Sequence, residues 1–92
     1  MNLEELYKII EDRKEKMPKN SYVASLFKRG RDRIIQKVGE ESTEVIIAAK
    51  NESKKRIISE ISDLIFHLLI LMVNYNIKLS EVLDELEQRN SD

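Results

Sequence analysis

Residues 54 to 75, KKRIISEISDLIFHLLILMVNY, constrain this chain more than any other stretch. Their apolar residues recur at helical spacing. Ile57, Ile61, Leu64, Leu68 and Leu71 form one continuous stripe, and Phe66, Leu69, Ile70 and Val73 carry apolar character round the rest of the helix. A helix apolar on nearly all sides is buried on nearly all sides. The chain has 92 residues, and a domain of that size buries only about 60–65% of the surface its unfolded chain exposes. It cannot easily wrap such a helix by itself, so the expected state is an oligomer, most simply a homodimer.

The rest of the chain also reads as helix. Residues 3 to 16 place Leu3, Leu6, Tyr7, Ile9 and Ile10 at helical spacing, with Asn2 as a cap, Glu4 and Glu5 at the positive end of the helix dipole, and Pro18 and Asn20 as stops. SYVASLFK, after a Ser21 cap, is one or two helical turns. Gly30 ends it, Asp32 caps a long helix from about 33 to 50, and Asn51 and Ser53 break and restart the chain. NYNIK is a turn, Ser80 a cap, and 81 to 89 a short amphipathic helix. Two Gly, one Pro and no Trp favour helices over strands and turns. The expected architecture is all-α: one domain over 1–92, a small bundle of four to five helices, intertwined as a dimer.

Several classes of function drop out on composition. A net charge of −1 provides no bulk field to draw nucleic acid. The lack of Cys removes disulfides, thiolate nucleophiles and Cys-based zinc sites. MNLEELYKII is acidic and has no apolar core of a signal peptide. The longest apolar run, LIFHLLILMV, is ten residues with a His inside it, short of the roughly 20 needed to span a bilayer. A cytoplasmic protein with no membrane partner is expected.

Within KVGEESTEVIIAAK, residues 37 to 50, a carboxylate interrupts an apolar row. At about 100° per residue, Glu41 lies about 20° from Ile34 and inside the arc of Val38, Val45 and Ala48. Glu44 and Glu40 lie further round on one flank, with Lys37 between Glu41 and Glu44. On the helix from 54, Glu60, Asp63 and His67 share one flank of the Ile57 stripe. Each of the two most apolar helices thus carries an acidic i, i+3 pair at its core edge: Glu41 with Glu44, and Glu60 with Asp63. Two such pairs face to face would repel unless a cation compensated, and an all-oxygen site suits Mg²⁺, with Mn²⁺ as a substitute. The competing reading is a salt-bridged surface flank. Acidic i, i+3 pairs also occur at Asp12/Glu15, Glu81/Asp84 and Asp84/Glu87, where the helices look solvated. For His67 the alternatives are a histidine satisfied by a hydrogen bond at the core edge, or a ligand or proton-transfer role. KRGRDR, 28 to 33, and Lys50, Lys54, Lys55 and Arg56 are basic clusters near these helices, suited to phosphates or simply solvated. No glycine cradle for a nucleotide is present.

SYVASLFKRGRDRIIQKVGEESTEVIIAAKN, followed by EISDLIFHLLILM, resembles the phosphoribosyl-ATP pyrophosphatases of histidine biosynthesis, within the all-α nucleotide pyrophosphatases of the MazG type. The resemblance runs from about Leu3 to Arg89. It rests on Ser21-Tyr22, Leu26, Asp32-Arg33, Lys37 to Glu41 with Glu44, Ala48 to Asn51, Glu60, Asp63-Leu64 and His67 to Leu69. It implies Mg²⁺-dependent hydrolysis of phosphoribosyl-ATP to phosphoribosyl-AMP and pyrophosphate, by a dimer. Glu41, Glu44, Glu60 and Asp63 would be metal ligands and, with Glu40, the catalytic acids. Glu40 is open between a second ion, a water-orienting group and a structural charge. Lys37, Lys50, Arg31, Arg33, Lys28, Ser21 and Tyr22 would bind substrate, Lys37 foremost because it lies on the carboxylate flank. Water would attack in line, with no Ser or Cys nucleophile. His67 would orient a carboxylate from behind. Val23 departs from the family, in which Thr is usual at that position.

Overall fold

The computed structural model describes residues 1 to 90, so the last two residues of the expected domain, 91 and 92, lie outside the described residues. The described residues form five α-helices: α1 (Leu3–Lys16), α2 (Tyr22–Arg29), α3 (Arg31–Lys50), α4 (Lys54–Asn74) and α5 (Leu79–Gln88). The all-α bundle expected from the sequence is therefore the observed one.

Local chemistry sets the helix ends. Asn2 Oδ1 accepts the Glu5 N–H at 2.8 Å, and Ser21 Oγ accepts the Ala24 N–H at 3.1 Å. Each satisfies one of the donors that the first turn leaves without a partner. α1 stops at Met17, which takes a left-handed conformation and donates its N–H to Arg13 O at 2.9 Å. The stop falls on the residue before Pro18, where the proline ring disfavours the right-handed helical region.

Two expected caps are corrected. Asp32 caps nothing and lies in the first turn of α3. Gly30 adopts φ 102°, donates its N–H to Leu26 O and accepts from Ile34 N–H, so one residue closes α2 and opens α3. Only glycine takes that φ cheaply, and the turn needs no spacer. Ser80 likewise lies inside α5. The Glu81 carboxylate reaches back to the Lys78 N–H at 2.8 Å, which starts the helix at Leu79.

α3 and α4 are joined by residues 51 to 53 and pack side by side as a helical hairpin, with α1 laid on α4 and α2 on α3. Tyr7 and Ile10 of α1, Val23 and Leu26 of α2, Ile34 of α3, and Leu69, Ile70 and Val73 of α4 form the core. The Tyr7 hydroxyl donates to Ile77 O at 2.6 Å, tying α1 to the turn before α5. Burial, then the nearby Glu11, Glu4 and Glu81, raise its pKa, so the donor keeps its proton.

The side of α4 that the chain buries is not the stripe that stood out in the sequence. Leu69, Ile70 and Val73 face inward, into the core shared with α1, α2 and α3, and His67 is buried beside them. Ile61 is 41% exposed and Leu68 38%, while Ile57, Leu64 and Leu71 are only half-buried. Ile58 and Ile65 on α4, Ile46 and Ile47 on α3, and Val82, Leu83 and Leu86 on α5 are exposed too, and α5 has no buried residue. The chain thus leaves a large apolar surface uncovered. By length and composition alone α4 could cross a membrane, although its longest apolar run is ten residues with His67 inside it.

Candidate metal centre

Glu41 occupies the inward face of α3, between the fully buried Ile34 and Ala48, and its side chain is only 12% exposed. Across the hairpin, α4 presents Glu60, 17% exposed, and Asp63 from the turn beyond it. One carboxylate oxygen from each of Glu41, Glu60 and Asp63 lies within 4.8 Å of the other two. Three like charges at that spacing, two of them mostly removed from water, repel strongly unless a cation lies among them or beside them. The donors are all oxygen and all carboxylate, a set that suits a hard divalent ion. The residues present therefore fit such an ion.

The other expected acids stand beside this trio. Glu44 lies 3.9 Å from Arg56 Nη2, and the same atom is 4.0 Å from Glu60. Arg56 thus sits between Glu44 and the cluster. Glu40 accepts from Arg33 Nη1 at 2.8 Å and lies 3.5 Å from Lys37 Nζ. The Arg33 hydrogen bond, reinforced by the charges of Arg33 and Lys37, outweighs burial and holds the Glu40 carboxyl below its usual range. Lys37 Nζ also lies 3.1 Å from Glu41. Burial works against its charge, but the Glu41 hydrogen bond, aided by Tyr22, Glu41 and Glu40, outweighs burial and raises its pKa.

A pH dependence follows for Glu40. Its folded-state pKa is depressed, so its stabilising contribution is full above the ordinary value of 4.5 and is lost as pH falls through the lower, folded-state value. Arg33→Gln should therefore reduce melting temperature near neutral pH, and the gap from the parent chain should narrow at a pH well below 4.5. Melting curves at the two pH values check this; a gap that widens in acid would show that Arg33 does not act through Glu40.

His67 is 5% exposed. Its Nδ1 lies 2.7 Å from the Asp63 backbone oxygen, which can only accept, so the proton sits on Nδ1. Nε2 then accepts from the Tyr22 hydroxyl at 2.7 Å. The Tyr22 ring stacks over Phe66, with centroids 6.4 Å apart, and its outer part is exposed. The histidine is thus satisfied by hydrogen bonds at the core edge, and its contact to Asp63 is to the backbone and not to the carboxylate.

The candidate substrate-binding residues divide. Lys37 and Tyr22 border the acidic centre, and Arg33 is turned onto Glu40. Ser21 is occupied as the cap of α2. Lys28 borders a recess with residues 17 to 21, Arg31 pairs with Asp32 at 3.4 Å, and Lys50 is exposed at the end of α3. The stretch 28 to 33 therefore points several ways. Val23 is a core residue, 8% exposed, where a hydroxyl would have to find a partner. Arg56, expected within a basic cluster suited to phosphates or simply solvated, instead reaches both Glu44 and Glu60; its i, i+4 spacing to Glu60 is the signal the sequence offers for this.

A family model described as phosphoribosyl-ATP pyrophosphohydrolase matches residues 3–90. The chain belongs to that family. The phosphoribosyl-ATP pyrophosphatase of Clostridium botulinum (strain Hall) is 53% identical over 87 residues, covering 95% of this chain and 79% of the relative. That of Leptospira biflexa is 54% identical over 83 residues, covering 90% of each. A histidine biosynthesis bifunctional protein, HisIE of Caldanaerobacter subterraneus, is 51% identical over 87 residues, which are 95% of this chain and 42% of the relative. Members of the family thus occur both at about the length of this chain and as part of a longer polypeptide.

Proposed function

We infer that this chain hydrolyses phosphoribosyl-ATP to phosphoribosyl-AMP and pyrophosphate, a step of histidine biosynthesis. The observation that carries the reading is the convergence of Glu41, Glu60 and Asp63 on one hairpin, in a chain matched to this family from residue 3 to 90.

The cofactor in this proposal is Mg²⁺, with Mn²⁺ as a substitute. Glu41, Glu60 and Asp63 would hold it, and Glu44 would join once Arg56 swings aside. When bound, the ion neutralises charge on the polyphosphate and makes water a better nucleophile. The chain's own residues do the rest. Lys37 is charged and next to the centre, so it meets the outer phosphates. Tyr22, fixed by His67, borders the substrate's path. Glu40, kept ionised by Arg33, orients Arg33 and Lys37 toward the same volume. Arg31, Lys28 and Lys50 are placed to draw in a polyanion. Residues 1–92 act as one domain, and two copies form a dimer through the apolar face of α4. The stripe Ile57, Ile61, Leu64, Leu68 supports a protein contact over a lipid one, because carboxylates flank it within the same helix.

Pyrophosphate release from phosphoribosyl-ATP, with and without Mg²⁺, beside a panel of plain nucleoside triphosphates, tests this. Fast Mg²⁺-dependent release from phosphoribosyl-ATP alone is expected. Release only from the plain triphosphates would move the chain to a house-cleaning role, and release from none would leave a helical dimerisation module.

A further inference from the structure

Lys37 does more than border the centre. Its ammonium lies 3.1 Å from Glu41 and 3.5 Å from Glu40, and its side chain is 17% exposed. Glu41 is also one of the three acids whose oxygens converge. The same carboxylate is therefore claimed by two cations: a resident ammonium and the divalent ion of the proposed function. Arg56 makes a looser claim, at 3.9 and 4.0 Å from a half-exposed position.

We propose that Lys37 is an internal counter-ion that competes with the divalent cation for Glu41, holding the acidic centre together when no such ion is bound and lowering the affinity for it. This rests on the metal reading given above. The physical basis is short. A lysine head is a compact point charge on a flexible four-carbon stem, so it can withdraw without unfolding α3. Without a divalent ion, Lys37 offsets the repulsion among Glu41, Glu60 and Asp63. With one, two positive charges share a carboxylate and repel each other at a few Å. Withdrawal from Glu41 leaves the ammonium free for the substrate's phosphates, so metal and substrate binding become linked through a single side chain.

The test uses the full chain, Mn²⁺ alone as probe, and the variants Lys37→Met and Lys37→Arg. Mn²⁺ affinity is read by electron paramagnetic resonance or calorimetry, and melting temperature is read in EDTA and in saturating Mn²⁺. Lys37→Met should bind Mn²⁺ about 3- to 10-fold more tightly. It should melt below the parent in EDTA, and the gap should close in Mn²⁺. A variant that folds only with Mn²⁺ would show the same crossover in extreme form. Lys37→Arg, which keeps the charge, should follow the parent. A lysine of merely structural value would lower the melting temperature equally in both conditions. If the parent binds Mn²⁺ and Lys37→Met binds it equally or more weakly, the competition is disproved while the metal centre stands. If the parent does not bind Mn²⁺ at all, both fall.

Discussion

Glu41→Gln should lose on the order of 10³-fold in turnover while keeping its fold. The amide has nearly the same shape, so it fits the same mostly buried position on α3. It removes the charge at the best-buried of the three converging acids, whose side chain is only 12% exposed. In EDTA the variant loses the Lys37 ion pair as well as one of three repelling charges, two changes of opposite sign, so it should melt close to the parent. In Mg²⁺ or Mn²⁺ it should lose the stabilisation that ion binding gives the parent. Glu44→Gln should do less harm, since Arg56 stands between Glu44 and the trio. Steady-state pyrophosphate release and paired melting curves check both. Parent-like turnover in Glu41→Gln would remove the metal assignment.

Ile61→Lys should convert the proposed dimer into a monomer. Ile61 lies at the middle of the uncovered face of α4, flanked by Leu68, Ile65, Leu64 and Ile57, and is 41% exposed in the single chain. In an isolated chain a lysine there would reach water at little cost. At a two-fold contact the change occurs twice, and each ammonium loses its water against an apolar surface. The melting temperature should fall by roughly 10–20 °C, because about 1 kcal/mol moves a domain of this size by about 4–8 °C. Light scattering reads the mass directly. A monomeric parent, or a variant that remains dimeric, would show that another surface or another partner covers α4.

Much of this was legible in the sequence, and the failures have physical causes. The caps at Asn2 and Ser21, and the restart of the chain at Ser53, could be read because a side chain three residues from its backbone partner is a local fact. Asp32 and Ser80 misled because other residues did the capping work: Gly30 through its own φ, and Glu81 from inside the helix. Glu41 could be placed from helical angle alone, because its Cα direction decides whether it points inward. Glu44 could not, since the end of a long side chain goes where its partner is, and Arg56 is on another helix. On α4, apolar residues on all sides gave no means of choosing which side the rest of the chain would cover. The bond from Tyr22 to His67 joins residues far apart in the chain, and no local pattern announces it.

The hairpin of α3 and α4 has a consequence for how the chain folds. All three converging acids lie on two helices joined by residues 51 to 53. Closing so short a connection costs little chain entropy, and contacts near in sequence form early. The piece of the protein quickest to assemble is thus the one that must push like charges together. Cations in solution should speed that step, whereas the later docking of α1 and α2, which is apolar, should be nearly indifferent to them.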